Sequence, residues 1–245
     1  MKVFCGLILI FTLFSCSTPE KIRDRADFTE NWKFYLGDDA LASQSQYDDS
    51  QWRVLNLPHD WSIESDFSLS NPATPGGGAL PGGIGWYRKE FTLDKSVEGK
   101  IVYIDFDGIY WNSTVWVNGH LLGERPNGYI SFRYDLTPYL KFGEKNTIAV
   151  RVDNSQQPNS RWYSGSGIYR NVWLVTVDPV HVDYNGTYVT IPVVSKDSAE
   201  IKIVTNIRNV TDASQAIELY SILVDADGRE ILQVKAPTNI AASQV

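Results

Sequence analysis

The stretch 101–122 reads I-V-Y-I-D-F-D-G-I-Y-W-N-S-T-V-W-V-N-G-H-L-L, and it decides the fold class. Ile101-Val102-Tyr103-Ile104-Asp105-Phe106 is apolar on both faces, as in a strand buried between two layers. Val115-Trp116-Val117 then runs into Asn118-Gly119, the dipeptide that best tolerates the positive φ angles of a two-residue hairpin. Leu121-Leu122 begins the return strand. Working outward, strands are predicted over 87–93, 101–107, 114–118, 147–153 and 169–177. Beyond Pro179 they are predicted over 186–191, 200–207, 216–224 and 229–234, with Asp227-Gly228 as a second tight turn. Ile201, Ile203 and Thr205 alternate with Lys202, Val204 and Asn206, which predicts one core face and one wet face. Helical periodicity never extends beyond two or three turns. The chain is therefore expected to be all-β. One sandwich is expected over 26–178, and an immunoglobulin-like sandwich over 179–245. The second is expected to be incomplete, because such a fold needs about 100 residues.

Composition supports this. The chain has 245 residues, 13% aromatics and eight Trp, with Gly and Pro scattered between β-rich runs. A formal charge of −7 with no basic stripe argues against a nucleic-acid partner. His59, His120 and His181 are widely spaced and no metal is expected. No cofactor motif occurs, and no Gly-x-Ser-x-Gly elbow supports a serine nucleophile.

The N-terminus reads as a targeting segment. Lys2 precedes an apolar run, 3–14, too short to span a bilayer. Leu13-Phe14-Ser15-Cys16 resembles a bacterial lipobox. Residues 1–15 are thus expected to be a lipoprotein signal peptide, Cys16 the lipidated residue and 16–25 a polar tether. The mature protein is then exported and lipid-anchored to a bacterial membrane, with no cysteine left for a disulfide.

Three loops collect polar and aromatic groups: 57–61 (L-P-H-D-W), the Gly/Pro-rich 71–85, and 159–167 (N-S-R-W-Y-S-G-S-G). Sugars offer apolar C–H faces ringed by hydroxyls. Indole rings stack on the faces, while carboxylates, amides and guanidinium groups bond the hydroxyls in pairs. His59, Asp60, Trp61, Arg161 and Trp162 are the candidate substrate-binding residues. His59-Asp60 also reads as a structural pair that pins its loop, and Trp61 as core. Trp162, set among Ser, Gly and Arg without strand alternation, reads as a ligand or interface residue. Asp60, Glu64 and Asp66 are loop acids that the sequence does not pair into a catalytic dyad.

Leu57-Pro58-His59-Asp60-Trp61, Gly85-Trp86-Tyr87-Arg88-Lys89, Phe106-Asp107-Gly108, Val117-Asn118-Gly119, Gly128-Tyr129, Asn146–Val152 and Gly167-Ile168-Tyr169-Arg170-Asn171-Val172 occur in the order found in glycoside hydrolase family 2. The chain resembles that family along nearly all of its expected mature length. The resemblance implies a jelly-roll, galactose-binding-like sandwich, then an immunoglobulin-like domain, then a (β/α)₈ barrel carrying two catalytic glutamates. No segment here matches that barrel, so no residue of this chain is expected to be catalytic. In the well-known branches an acid that touches the terminal sugar stands six positions before the Gly of Gly-Ile-x-Arg; here that position is Arg161. The implied function is the N-terminal part of an exported β-galactosidase-like retaining glycoside hydrolase. The implied partners are a β-linked glycoside, a galactoside favoured, and the catalytic barrel. A free-standing carbohydrate-binding lipoprotein and a non-functional remnant are the alternatives.

Overall fold

The computed structural model describes residues 23–242. The expected signal peptide, Cys16 and the tether as far as residue 22 lie outside the described residues. All strand pairing is antiparallel. The first unit is a sandwich of β1 (Arg23–Asp27), β2 (Trp32–Leu36), β3 (Arg53–Leu55), β4 (Gly83–Thr92), β5 (Ile101–Phe106), β6 (Ser113–Val117), β7 (His120–Arg125), β8 (Phe132–Asp135), β9 (Lys145–Asn154) and β10 (Val172–Val177). One sheet runs β3-β2-β4-β9-β6-β7 and the other β1-β10-β5-β8. The Asn118-Gly119 turn joins β6 to β7, with positive φ at both residues.

Why these segments pair is visible in their burial. In β6 the inward Ser113, Val115 and Val117 are buried and Thr114 and Trp116 are half-buried. In β5, Val102 through Phe106 are all buried, because both faces are covered. Between the sheets Trp32, Phe34, Tyr87, Ile104, Phe106, Val115 and Val150 form one core. Each large side chain removed from water there contributes about 1.5–3 kcal/mol.

The outer face of the larger sheet is closed by a strap over 38–52. Trp86 stacks on Trp116 with centroids 5.3 Å apart. The buried Arg88 beside them bonds Asp49 Oδ2 at 2.8 Å and the carbonyls of Ala42 and Gln44. Burial pushes the Asp49 carboxyl up, but hydrogen bonds from Lys33 and Arg88 outweigh it and hold it below the usual range.

Two expectations need correction. The tether was expected to reach residue 25, yet Arg23–Asp27 forms an edge strand in full register with β10. All five of its side chains are exposed, so it carries no apolar alternation to read. The second unit contains β11 (Val180–Val194), β12 (Ala199–Asn209), β13 (Gln215–Val224) and β14 (Glu230–Ile240), paired as two hairpins. The alternation in 200–207 does not bury one face among the described residues. Ile203 is 42% and Val204 43% exposed, and Ile201, Ile203 and Leu219 line an open groove of about 460 Å³ between the hairpins.

The units meet where His181, buried at the start of β11, lies against Tyr103 with ring centroids 6.0 Å apart. Arg133 stacks on both Tyr103 and Tyr184 at 4.5 Å and forks onto Asp105 at 2.6 and 2.8 Å.

Candidate functional site

Three chain segments are zipped together at one end of the sandwich. His59 N–H donates to the Ile168 carbonyl at 2.8 Å and Trp61 N–H to that of Ser166 at 3.1 Å. Tyr110 and Gly167 exchange both backbone bonds, at 2.9 and 2.7 Å. The peptides Leu57-Pro58, Tyr110-Trp111 and Gln157-Pro158 are cis. Gly165 and Gly167 have φ of +74° and +122°. A Cβ on Gly165 would lie 2.6 Å from Asp60 Oδ2, and one on Gly167 would lie 2.3 Å from the Tyr87 hydroxyl. Both positions need glycine for conformation and for space.

Asn154, buried at the end of β9, organises the loop that follows. Its amide donates to the Gly165 carbonyl at 2.9 Å and to Ser166 Oγ at 2.7 Å. Its carbonyl oxygen accepts from Gln157 at 2.8 Å and Asn159 at 2.5 Å. The Gly/Pro-rich stretch 71–85 is tied down as well. Asn71 donates to the Ala79 carbonyl at 2.8 Å, and the Trp61 indole donates to that of Gly82 at 3.1 Å.

The five residues singled out from the sequence fall into two groups. His59 and Trp61 are buried. Trp61 packs beside Phe34 with centroids 5.7 Å apart, so it is core and offers no free face. His59 Nδ1 lies 2.7 Å from the Tyr87 hydroxyl, and Nε2 lies 3.2 Å from Glu64 Oε1. Burial lowers its pKa below the usual imidazole value, against the raising influence of Glu64. Arg53 completes the group by forking onto Glu64 at 3.0 and 2.7 Å. Asp60 is half-buried and fully used inside the protein. Its Oδ1 accepts from Ser62 N at 2.9 Å and Ser166 N at 2.8 Å, and its Oδ2 accepts from the Tyr163 hydroxyl. Burial, and then this bond to Asp60, raise the Tyr163 pKa well above its ordinary value.

Arg161 and Trp162 are on the outside. Trp162 is 61% exposed, and its indole N–H donates to the Tyr129 hydroxyl at 3.2 Å. Tyr129 also packs edge-on against Tyr110 at 5.4 Å, which stacks on Trp111 at 5.5 Å. These rings and Arg161 line an open groove of about 680 Å³. The sequence reading did not single out Tyr110, Trp111 and Tyr129 as site residues. Tyr129 carried a legible signal, since Asn127-Gly128-Tyr129-Ile130 places large side chains in a turn-forming run, and Tyr129 and Ile130 are exposed. Among the described residues no group of three His, Cys, Asp or Glu is placed to hold a metal ion.

This geometry offers aromatic faces, one free guanidinium and hydroxyl groups at the mouth of a rigid loop cluster, which is the equipment for gripping a polyhydroxylated ring. The comparisons with known proteins point the same way. A beta-galactosidase of Bacteroides ovatus is 54% identical over 224 residues, covering 91% of this chain and 26% of that protein. A beta-glucuronidase of Formosa agariphila is 34% identical over 243 residues, covering 91% and 25%. The crystal structure of a beta-glycosidase from Bacteroides vulgatus superposes with a TM-score of 0.84 at 45% identity, over 88% of this chain and 28% of that one. The chain thus spans about a quarter of the length of the relatives it matches. Residues 27–178, the jelly-roll-type sandwich that carries the groove, match the family described as "Glycosyl hydrolases family 2, sugar binding domain", and the chain belongs to glycosyl hydrolase family 2.

Proposed function

We propose that this chain is the sugar-binding wall of an exported β-galactosidase-like enzyme that hydrolyses O-glycosyl bonds in carbohydrate degradation. The observation that carries this reading is the Arg161-Trp162 loop. It is held from beneath by Asp60 and Asn154, and it presents an exposed indole and a guanidinium beside Tyr129. A rigid loop costs little ordering entropy when a ligand docks. Trp162 stacks on a pyranose face and Arg161 bonds its substituents, while His59, Asp60 and Trp61 position that loop from within.

In this reading the retaining chemistry belongs to a catalytic barrel that the chain braces, and a β-galactoside is the favoured substrate. The identity to the Bacteroides ovatus beta-galactosidase supports that preference. Export and lipidation at Cys16 complete the proposal, and Cys16→Ala then moves the protein from the membrane fraction to the soluble one. The test of the enzymatic reading is turnover. The 245-residue chain alone releases no nitrophenol from nitrophenyl β-galactoside, whereas the full reading frame that contains it does. No turnover by the full reading frame on β-galactoside, β-glucuronide or β-mannoside would refute it.

A further inference from the structure

Three Asn-Gly pairs occur in the chain, at 118–119, 127–128 and 185–186. In such a pair the backbone nitrogen of the glycine can attack the asparagine side-chain amide, because no Cβ on the glycine hinders the approach. The structure treats the three pairs differently. Asn118 sits in the β6–β7 turn with its side chain locked. Its amide nitrogen donates to the Tyr139 carbonyl and to Asn146 Oδ1, each at 2.8 Å, and its oxygen accepts from Thr147 N at 2.9 Å. Asn185 lies inside β11, at the register shift between Val182 and Thr187, and no group donates to its side-chain oxygen among the described residues. Asn127 lies in the irregular stretch between β7 and β8 and is exposed. Its Oδ1 accepts from Tyr129 N–H at 2.8 Å, while its amide nitrogen and the Gly128 N–H have no partner among the described residues.

We propose that Asn127 is a self-modification site, which deamidates through a cyclic imide with Gly128 ahead of Asn118 and Asn185. The Gly128 nitrogen bonds to Asn127 Cγ and gives up its proton to solvent. The Cγ–Nδ2 bond breaks, and Nδ2 takes a proton from solvent and leaves as ammonia. Water then opens the imide at either carbonyl, to aspartate or to isoaspartate, with no change in oxidation state. Tyr129 N–H is already aimed at the oxygen on which negative charge develops during the attack, the role of a preorganised oxyanion donor. Holding both reacting groups in one dipeptide removes the entropy of bringing them together. At Asn118 the same step must first break two hydrogen bonds to the leaving nitrogen. The consequence falls on the groove, which Asn127 and Arg161 both line and in which Arg161 is the one ionised lining residue. The new carboxylate offsets that charge. Isoaspartate also lengthens the backbone beside Tyr129, whose hydroxyl accepts from the Trp162 indole at 3.2 Å, and so shifts one wall of the groove against the other.

The test is ageing of the 245-residue chain in mildly alkaline buffer. Peptide mass spectrometry, with fragment ions, assigns the amide-to-acid conversion at each asparagine. Asn127 is expected to convert about tenfold faster than Asn118 or Asn185, a fraction of what one oxyanion donor supplies in an enzyme. Isoaspartyl methyltransferase should label the aged chain. In urea the three rates should converge, since each asparagine has the same following residue. Asn127→Gln should remove the dominant acidic form that anion exchange separates. Conversion at Asn127 no faster than at the other two in the folded chain overturns the proposal. A ranking that persists unchanged in urea also overturns it, because local sequence and not the fold would then select the site. Neither result depends on whether the groove takes a sugar.

Discussion

Asp60 is the residue on which the two readings of the site diverge most sharply, and Asp60→Ala separates them. In the structure its carboxylate caps two backbone N–H groups, on Ser62 and Ser166, residues that are 2% and 0% exposed. Alanine leaves both donors buried without an acceptor, at about 1–3 kcal/mol each. The third partner, Tyr163, is 43% exposed, and water takes over its hydroxyl at little cost. The expected loss is therefore about 2–6 kcal/mol, a large part of the roughly 5–15 kcal/mol available to a typical domain. Asp60→Asn keeps one acceptor oxygen for the two N–H groups and loses only the charge, so about 1 kcal/mol is expected. Urea unfolding followed by tryptophan fluorescence gives both numbers. The Tyr163 hydroxyl gives an independent readout by ultraviolet titration. Its folded pKa is raised above the ordinary 10.0, so its contribution to stability is full below that value and disappears as pH rises beyond it. In Asp60→Ala the titration should move back toward the ordinary value. A loss below about 1 kcal/mol for alanine, or equal losses for alanine and asparagine, would refute the anchor argument. Asp60 would then have to be treated as a ligand contact.

The remaining predictions concern the same scaffold. Arg88→Met leaves Asp49 buried beside Lys33 alone and should cost about 3–5 kcal/mol, read as a lowered urea midpoint; a change under 1 kcal/mol would mean that the strap over 38–52 does not depend on this pair. Gly167→Ala must place a Cβ 2.3 Å from the Tyr87 hydroxyl and 2.8 Å from the His59 carbonyl oxygen at φ +122°. It should cost about 3 kcal/mol or more, and an unchanged melting temperature would contradict the packing described. His59 has a pKa lowered by burial, so its stabilising contribution is present above the ordinary imidazole value and is lost as pH falls below it. His59→Gln should flatten the wild-type fall in stability on acidification, with part of the slope remaining through His181, which burial also lowers. Trp162→Ala should change stability by less than about 0.5 kcal/mol, as befits an exposed side chain, and abolish sugar binding; a large destabilisation would make Trp162 structural.

How much was legible follows from where the information sits. The longer buried strands announced themselves, because alternation and continuous apolar runs are local patterns with a fixed period. That is why β5, β6 and β9 were found within about two residues. The edge strands β1 and β3, the internal β2 between β3 and β4, and the short β8 were missed. Arg23-Asp24-Arg25-Ala26-Asp27 has no apolar face, and it becomes a strand only because β10, some 150 residues later, offers it a ladder. The structure packs the candidate loops 57–61 and 159–167 together at one end of the sandwich. The division of labour within them was not legible. Asp60 and Arg161 look equally exposed in the sequence, since both are charged loop residues near glycines. Only the packing of 57–62 against 165–168 turns Asp60 inward onto two backbone amides and leaves Arg161 outside.

The sequence by itself determined that this is an all-β protein of glycosyl hydrolase family 2, through hydrophobic period, Asn-Gly and Asp-Gly turns and an ordered set of short motifs. The tertiary structure decided which side chains line the open groove and which are buried. Tyr110, Trp111 and Tyr129 come from one part of the chain and Trp162 from another, and they form one groove only after the Tyr110–Gly167 bridge closes. A contact between residues that far apart leaves no periodic trace in either segment, because it is fixed by the stacking of two sheets and not by any local preference of the backbone.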